Sequence, residues 1–143
     1  MLAFAVTFTL LLLEVSLRRG QTRDQEMRQA RLVWVEAGGM STSGAATHVE
    51  VEVRPKVHND SDETIRDVVV KVYDEHGKHL GDISSTPVVI SPHAEAACYL
   101  RVAVPGDRDL GNRTTSADLL FTDAAGRRWK KGKDQALERV LQG

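Results

Sequence analysis

The chain has 143 residues, with 19 lysines and arginines, 20 aspartates and glutamates, and a single cysteine. Its length fits one domain with an appendage. A formal net charge of −1 argues against a nucleic-acid binder that works through overall charge, and one cysteine excludes an intrachain disulfide framework and a four-cysteine zinc site. The composition, 41% hydrophobic and 27% charged, is typical of a folded globular domain.

An uncharged apolar run opens the chain and predicts a transmembrane anchor over residues 1–17. Glu14 is the first charged side chain, and Arg18 and Arg19 close the run. Seventeen helical residues span about 26 Å at roughly 1.5 Å each, slightly short of a ~30 Å hydrocarbon core. Long cationic side chains at such an end reach the headgroups. We therefore interpret Arg18 and Arg19 as membrane-interface residues.

A cleaved signal peptide is the alternative to an uncleaved anchor. A signal peptide carries basic residues before its apolar run and small residues at its cleavage site. This sequence has no basic side chain before the run and no such small-residue site after it. Residues 18–31 contain five arginines but only Asp24 and Glu26 as acids. The positive-inside rule then predicts a single-pass protein of the cell membrane with the bulk of the chain in the cytoplasm.

Residues 18–30 are predicted to form a polar, basic spacer. Met27 and Ala30 are its only apolar residues, so a helix here would have no apolar stripe and would be solvated or continue the anchor. A short coiled coil is a less favoured alternative, because a/d heptads are absent.

From residue 31 onward, apolar residues recur at every second position, which predicts an antiparallel β-sandwich over residues 31–133. The alternation is clearest at residues 48–58, where Pro55 indicates an edge strand or a bulge. Further strands are predicted at residues 31–37, 65–75, 80–84, 95–104, 116–123 and 127–131, with a flexible stretch at 38–47 and a loop at 105–115. About seven short strands separated by turns are typical of an immunoglobulin-like sandwich.

The tail, residues 134–143, is predicted to be a short helix. Leu137, Val140 and Leu141 recur at helical spacing, and Asp134 precedes them as an N-cap. The predicted fold is mainly β: an N-terminal transmembrane helix, a polar spacer, a single antiparallel Ig-like β-sandwich of about seven strands, and a short C-terminal helix.

The segment from Val51 to Lys78 follows the pattern V-x-V-x-x-x-V-x-N-x-S-x-x-x-I-x-D-V-x-V-x-V-Y-D-x-x-G-K. This pattern resembles bacterial immunoglobulin-like domains of the FxLYD type. A third element of that family, an L-x-P-G corner, keeps its proline here within residues 89–93 but lacks the glycine. The closing segment, FTDAAGRRWKK at residues 121–131, is similar to the end of short actinobacterial membrane-anchored proteins of unknown function. The resemblance implies a sandwich fold and no particular chemistry.

One basic patch is the candidate binding site, and it consists of Arg127, Arg128, Trp129, Lys130, Lys131 and Lys133. On a strand, Arg127, Trp129 and Lys131 share one face, while Arg128 and Lys130 share the other. One face would suit the phosphates of RNA or of anionic lipid, with Trp129 at the headgroup level. The alternative is a core tryptophan flanked by cations that protect an edge strand.

Other polar clusters do not predict a metal site, a cofactor or catalysis. His76 and His79 lie near Asp74 and Asp82, but the spacing matches no specific metal motif. The acids of residues 59–63 lack the spacing of a calcium loop. Cys98 lies on the inward face of a strand and has no nucleophilic partner nearby in sequence, so we interpret it as a small buried hydrophobe.

The sequence therefore predicts a non-catalytic, membrane-anchored interaction module that presents an Ig-like β-sandwich for protein binding. The alternative is anionic lipid or nucleic-acid binding through residues 127–133. The expected partners are an unknown protein and membrane lipids around the N-terminal helix. A nucleic acid is less expected, and a small-molecule substrate is not.

Overall fold

The computed structural model describes residues 2–45, 48–84, 89–105 and 115–141. Within these ranges one helix precedes twelve strands. Helix α1 covers Leu2–Arg31. In chain order the strands are β1 (Val33–Glu36), β2 (Met40–Ala45), β3 (His48–Val53), β4 (Lys56–Asn59), β5 (Ile65–Tyr73), β6 (His79–Ser84), β7 (Val89–Ile90), β8 (Ala94–Ala97), β9 (Leu100–Pro105), β10 (Ser116–Thr122), β11 (Arg128–Lys131) and β12 (Leu137–Val140).

The strands form two layers. One layer is an antiparallel sheet in the order β12-β11-β10-β5-β6, with β7 paired to the start of β5. The other layer consists of two three-stranded sheets, β1-β4-β8 and β2-β3-β9. The same three chain segments build both small sheets, because β1 continues into β2, β3 into β4, and β8 into β9. We describe them together as one bent sheet.

The core lies between the two layers and is rich in valine, which suits a half-buried pleated surface. The bent sheet contributes Val33, Val51, Val53, Val57, Ala96 and Cys98. The larger sheet contributes Ile65, Val68, Val70, Val72, Ile83, Ile90, Ala117, Leu119, Phe121 and Trp129. The alternating pattern therefore predicted the inward faces of the long strands, and the predicted β-sandwich is present.

The three segments of the bent sheet are interrupted at one common level. Pro55 has no N–H to donate, and its carbonyl accepts a hydrogen bond from the Cys98 N–H at 2.8 Å. Gly38 has a φ of 75°, and a Cβ at this position would lie 2.0 Å from the Arg54 carbonyl oxygen. Pro55 lies between β3 and β4 in the middle segment of the bent sheet, so the edge position that its sequence allowed is wrong. The register with β8 and β9 is unbroken across Pro55, and the one extra residue lies in the segment between Glu36 and Met40.

Two local predictions are wrong. The flexible stretch predicted at 38–47 contains strand β2, because pairing with the valine-rich β3 satisfies a backbone whose side chains have little strand preference. The C-terminal helix predicted over 134–143 is replaced by β12, which pairs with β11. Gln135 has a φ of 62°, and the Asp134 carboxylate accepts a hydrogen bond from the Ala136 N–H at 3.1 Å. These residues form a turn that ends in a strand and do not cap a helix.

Helix α1 joins the predicted anchor and spacer without a break, and its last turn packs on the sandwich. Ala30 is buried, and Met27 packs partly buried against the core. The prediction that residues 18–30 have no side chain to pack on a core is thus wrong at the C-terminal end, whereas the helix does continue from the preceding segment, as the second alternative predicts. The first predicted strand also begins two residues late, at Val33.

Across the residues that the structure describes, no helix combines the length and the apolar character needed to cross a membrane. The transmembrane anchor over residues 1–17 gains no support from this finding.

Candidate functional site

The basic patch is divided between the two faces of β11. Trp129 and Lys131 are buried, whereas Arg128 is exposed and Lys130 is partly exposed. This is the alternation expected for a strand. β11 lies between β10 and β12, so its cations do not protect a sheet edge, and that part of the alternative interpretation is wrong. The other part, a core tryptophan, is confirmed.

The inward-facing half of the patch surrounds one carboxylate, that of Asp123. Its Oδ2 accepts hydrogen bonds from Trp129 Nε1 at 2.9 Å and from Arg127 Nε at 2.7 Å, and its Oδ1 accepts one from the Arg127 N–H at 2.9 Å. Burial opposes ionisation of Asp123, but these hydrogen bonds outweigh it and hold the pKa of the carboxyl below its usual value. Arg127 also forms an ion pair with Glu26 of helix α1. Arg127 therefore links the sandwich to the helix, and Trp129 shares with it the carboxylate of Asp123.

Lys131 continues this junction. Its ammonium donates hydrogen bonds to the carbonyl oxygens of Arg31 at 2.8 Å and of Val33 at 2.9 Å. The Arg31 carbonyl ends the helix and has no partner within it, so Lys131 supplies a C-terminal cap. Burial lowers the pKa of the Lys131 ammonium. Lys131 is only 7% exposed, which leaves it little surface for an external ligand.

Lys130, on the outward face of β11, borders an open cleft of about 450 Å³ beside Tyr73 and Asp118. The Tyr73 hydroxyl donates to Asp118 at 3.4 Å, and the Lys130 ammonium lies 3.6 Å from the same carboxylate. Burial, together with the charge of Asp118, raises the pKa of the Tyr73 phenol. Lys133 and two further acids, Asp134 and Glu138, also line the cleft. Cations and carboxylates are thus interleaved here.

The predicted interface residues lie on helix α1. Arg18 forms an ion pair with Glu14 at 2.6 Å, and both side chains are largely exposed. The side chain of Arg19 lies outside the described part of the structure. Leu13, Val15 and Leu17 are also exposed, at 55%, 40% and 66%. This stretch of the helix therefore presents both apolar and charged side chains to its surroundings.

The histidine cluster has local partners. The Asp74 carboxylate accepts hydrogen bonds from the backbone N–H groups of His76 at 2.9 Å and Lys78 at 2.8 Å, which fixes the turn. His79 pairs with Asp82 at 2.6 Å. The described side chains include no group of three or more that could hold a metal ion. Cys98 is buried, as expected, and burial raises the pKa of its thiol.

One feature that the sequence did not predict as a site is the edge formed by β2. In the described ranges its one strand neighbour is β3, and its residues Met40–Ala45 include no charged residue and no proline. Ser41, Thr42 and Ser43 are exposed. Natural sheets block such edges with charges, prolines or bulges, and an unblocked edge can accept another strand. The absence of lysine and proline is the available signal in the sequence, but the composition of residues 38–47 predicts a flexible stretch and not a strand.

Comparisons with known proteins do not assign the chain to a family. No family model matches the sequence, and no curated protein matches it either. The resemblance to FxLYD-type domains stays a prediction.

Three solved structures share the architecture in part. A calcium-binding mutant of Bacteroides uniformis β-glucuronidase 2 is 13% identical, with a TM-score of 0.38 over 71% of this chain, and this match spans 13% of the glucuronidase. A Northeast Structural Genomics Consortium target is 11% identical, with a TM-score of 0.42, over 77% of this chain and 83% of its own. An uncharacterised β-sandwich protein from Clostridium difficile 630 is 10% identical, with a TM-score of 0.35, over 68% and 83%. Likenesses this remote say nothing about what the chain does.

Proposed function

We propose that the chain is a non-catalytic interaction module, held at the membrane by helix α1, that binds a protein partner along the edge of β2. The observation that carries this proposal is the edge of β2, which no other described strand covers and which has no charged residue or proline of its own. Partner strands add to such edges through backbone hydrogen bonds, and neighbouring side chains supply the specificity.

The membrane part of the proposal is supported by the composition of α1 and by its exposed side chains. No charged residue precedes Glu14, and Leu13 and Leu17 are more than half exposed. An apolar helix segment that leaves such side chains uncovered gains free energy in an apolar environment, by about 25 cal/mol per Å² of surface removed from water. The arginine excess of residues 18–31 then favours a cytoplasmic sandwich.

The membrane part is tested by fractionation. The double variant Leu13→Asp/Leu17→Asp adds two carboxylates to the apolar end of α1, and we expect it to move from the carbonate-washed membrane fraction to the supernatant. The matched control is Leu141→Asp, because Leu141 is 81% exposed but lies at the other end of the chain. Release of wild type and control together would contradict anchoring by the helix.

Orientation is tested with one exposed cysteine. Ala124 lies in an exposed turn, so Ala124→Cys in a Cys98→Ser background gives a single accessible thiol. A membrane-impermeant maleimide is expected to label it only after the cells are lysed. Labelling in intact cells would place the sandwich outside.

The binding part is tested by photo-crosslinking. A photoreactive side chain at Thr42 is expected to capture a protein, and the same group at Ala124 is expected to capture none. Equal yields at the two positions would contradict binding at the β2 edge.

Lipid or nucleic-acid binding through residues 127–133 has less support. Arg127, Trp129 and Lys131 are engaged within the chain, and Lys130 and Lys133 line a cleft together with three carboxylates.

A further inference from the structure

The backbone of β2 exposes an ordered set of hydrogen-bonding groups. The Gly39 carbonyl accepts from the Arg54 N–H at 3.4 Å, and the next pair along the strands is Met40 with Val53. Bonded and non-bonded pairs alternate in an antiparallel ladder. Ser41 and Ser43 are therefore bonded to β3, while the N–H and C=O groups of Met40, Thr42 and Gly44 point to the free edge.

This set is symmetric about Thr42. We infer that the partner at this edge is a second copy of the chain, with the two β2 strands antiparallel and Thr42 on the two-fold axis. The inference rests on the proposed function, since it names the occupant of the same edge. In this register Met40 lies opposite Gly44 of the other copy, and each of the three outward-pointing pairs exchanges two backbone hydrogen bonds.

The side chains of β2 fit its own reversed copy. A strand that pairs antiparallel with β2 needs a small residue opposite Met40 and tolerates a large one opposite Gly44. β2 provides both in reverse order. Ser41 faces Ser43 of the other copy, so small polar side chains meet on the opposite face.

Charge also permits this pairing. β2 has no charged residue to place against its own copy. The nearest acids on the neighbouring strand, Glu50 and Glu52, would lie three strand spacings from their counterparts, about 14 Å. This separation exceeds the ~8 Å Debye length at physiological salt, so their repulsion is largely screened. Apart from the two-residue β7, the described strands at the other sheet edges carry charged or titratable side chains: Glu36, His79, Asp82, Glu95, Arg101, Glu138 and Arg139.

The experiment places charges at Thr42, on the two-fold axis of the proposed dimer. It uses the full-length chain in detergent micelles. Thr42→Lys and Thr42→Glu each bring like charges directly opposite each other, but only in the proposed dimer. We expect each variant alone to raise the dimer dissociation constant at least ~10-fold, as measured by sedimentation, and a mixture of the two to restore dimers. The matched control, Ser43→Lys, faces Ser41 of the other copy and is expected to stay dimeric.

Three outcomes would overturn the inference: a monomeric wild type, dimers of both single variants, or a mixture that stays monomeric. The restoring mixture guards against misfolding, because two misfolded variants would not rescue each other. If the wild type is monomeric while a photoreactive group at Thr42 still captures a different protein, self-pairing is wrong and the proposed function stands. If that position captures nothing, both are wrong.

Discussion

At the scale of single residues, the molecule depends on buried polar groups whose partners come from distant parts of the chain. Asp123 is only 5% exposed and accepts hydrogen bonds from Trp129 and Arg127. Its amide variant keeps the shape but loses the charge and one acceptor. The carboxylate thus joins the last hairpin to the helix, through Arg127 and Glu26.

We expect Asp123→Asn to lower the free energy of unfolding by about 2–4 kcal/mol at pH 7, because it leaves buried donors without their charged acceptor. The pKa of Asp123 is lowered in the folded state. Its contribution is therefore fully present above the unfolded pKa of about 3.9 and is lost as the pH falls through the lower folded value. Urea titrations from pH 7 to pH 2.5 would show wild type and variant converging at the acid end. A difference that stays constant with pH would contradict this role.

Asn59 is fully buried and organises the turn that follows β4. Its Nδ2 lies within hydrogen-bond distance of three carbonyl oxygens, those of Glu63 at 2.8 Å, Ser91 at 2.9 Å and Ile90 at 3.2 Å. Its Oδ1 accepts a hydrogen bond from the Ser61 hydroxyl at 2.6 Å. An amide group is needed here, because one side must donate and the other must accept.

We expect Asn59→Asp to destabilise the fold by about 3 kcal/mol, since a carboxylate would face carbonyl oxygens with no donor to offer. Thr64→Ala, at an exposed position of the same turn, is the control and is expected to change stability by less than about 0.5 kcal/mol. Thermal unfolding of the two variants beside wild type makes the comparison. Equal midpoints for Asn59→Asp and wild type would show that the network is dispensable.

At the scale of elements, the bent sheet depends on how closely its segments approach at their common interruption. We expect Gly38→Ala to lower the free energy of unfolding by at least ~2 kcal/mol, because an added methyl group would clash with the Arg54 carbonyl at a positive φ. The neighbouring Gly39→Ala is the matched control, since a Cβ there meets nothing within 4 Å. Its stability is expected to be unchanged or raised by up to about 1 kcal/mol. Similar losses in both variants, measured by urea unfolding, would contradict the close approach.

The sequence predicts an element well when neighbouring residues determine it, and poorly when contacts with distant residues determine it. The strands containing Val51 and Val70 were readable because alternation reflects burial residue by residue. The helix expected at Leu137 failed because the helical spacing of three apolar residues is a weak local signal, and pairing with the neighbouring strand β11 outweighed it. The packing of α1 on the sandwich could not be predicted from the sequence, because it depends on an ion pair between Glu26 and Arg127, which are about a hundred residues apart. The alternation of a strand predicts that the basic patch is divided between two faces, but it does not predict which of the two faces is buried.

At the scale of the whole molecule, a continuous helix docked by its last turn sets the sandwich at a defined distance from the apolar segment. Residues 14–31 rise about 27 Å at 1.5 Å each. Gln29 donates a hydrogen bond to Asp62, and Lys131 caps the helix end, so the turn after β4 and strand β11 both hold the last turn of the helix. A partner bound at β2 would therefore be held at a fixed position relative to the helix.

At the same scale, the charge distribution leads to a prediction that distinguishes the proposed protein binding from binding to anionic surfaces. The outward cations are Arg128, Lys130 and Lys133. Lys130 and Lys133 line one cleft together with Asp118, Asp134 and Glu138, so the local field there is close to neutral. If the cations bound lipid headgroups at about 1 kcal/mol each, their combined removal would weaken binding on the order of 100-fold. We expect instead a change of less than about 3-fold, since charges of opposite sign within a Debye length largely cancel each other.

The measurement uses the full chain in neutral nanodiscs, floated with anionic vesicles at low and physiological salt. The triple variant Arg128→Ala/Lys130→Ala/Lys133→Ala is compared with Lys56→Ala/Lys71→Ala/Lys78→Ala, which removes the same number of cations from other strands and turns. Equally small changes in vesicle binding for the two triple variants would favour the proposed protein partner over an anionic surface. A large, salt-dependent loss in the first variant alone would instead assign the cleft beside Tyr73 to an anionic surface, because the cations there would then outweigh their neighbouring carboxylates.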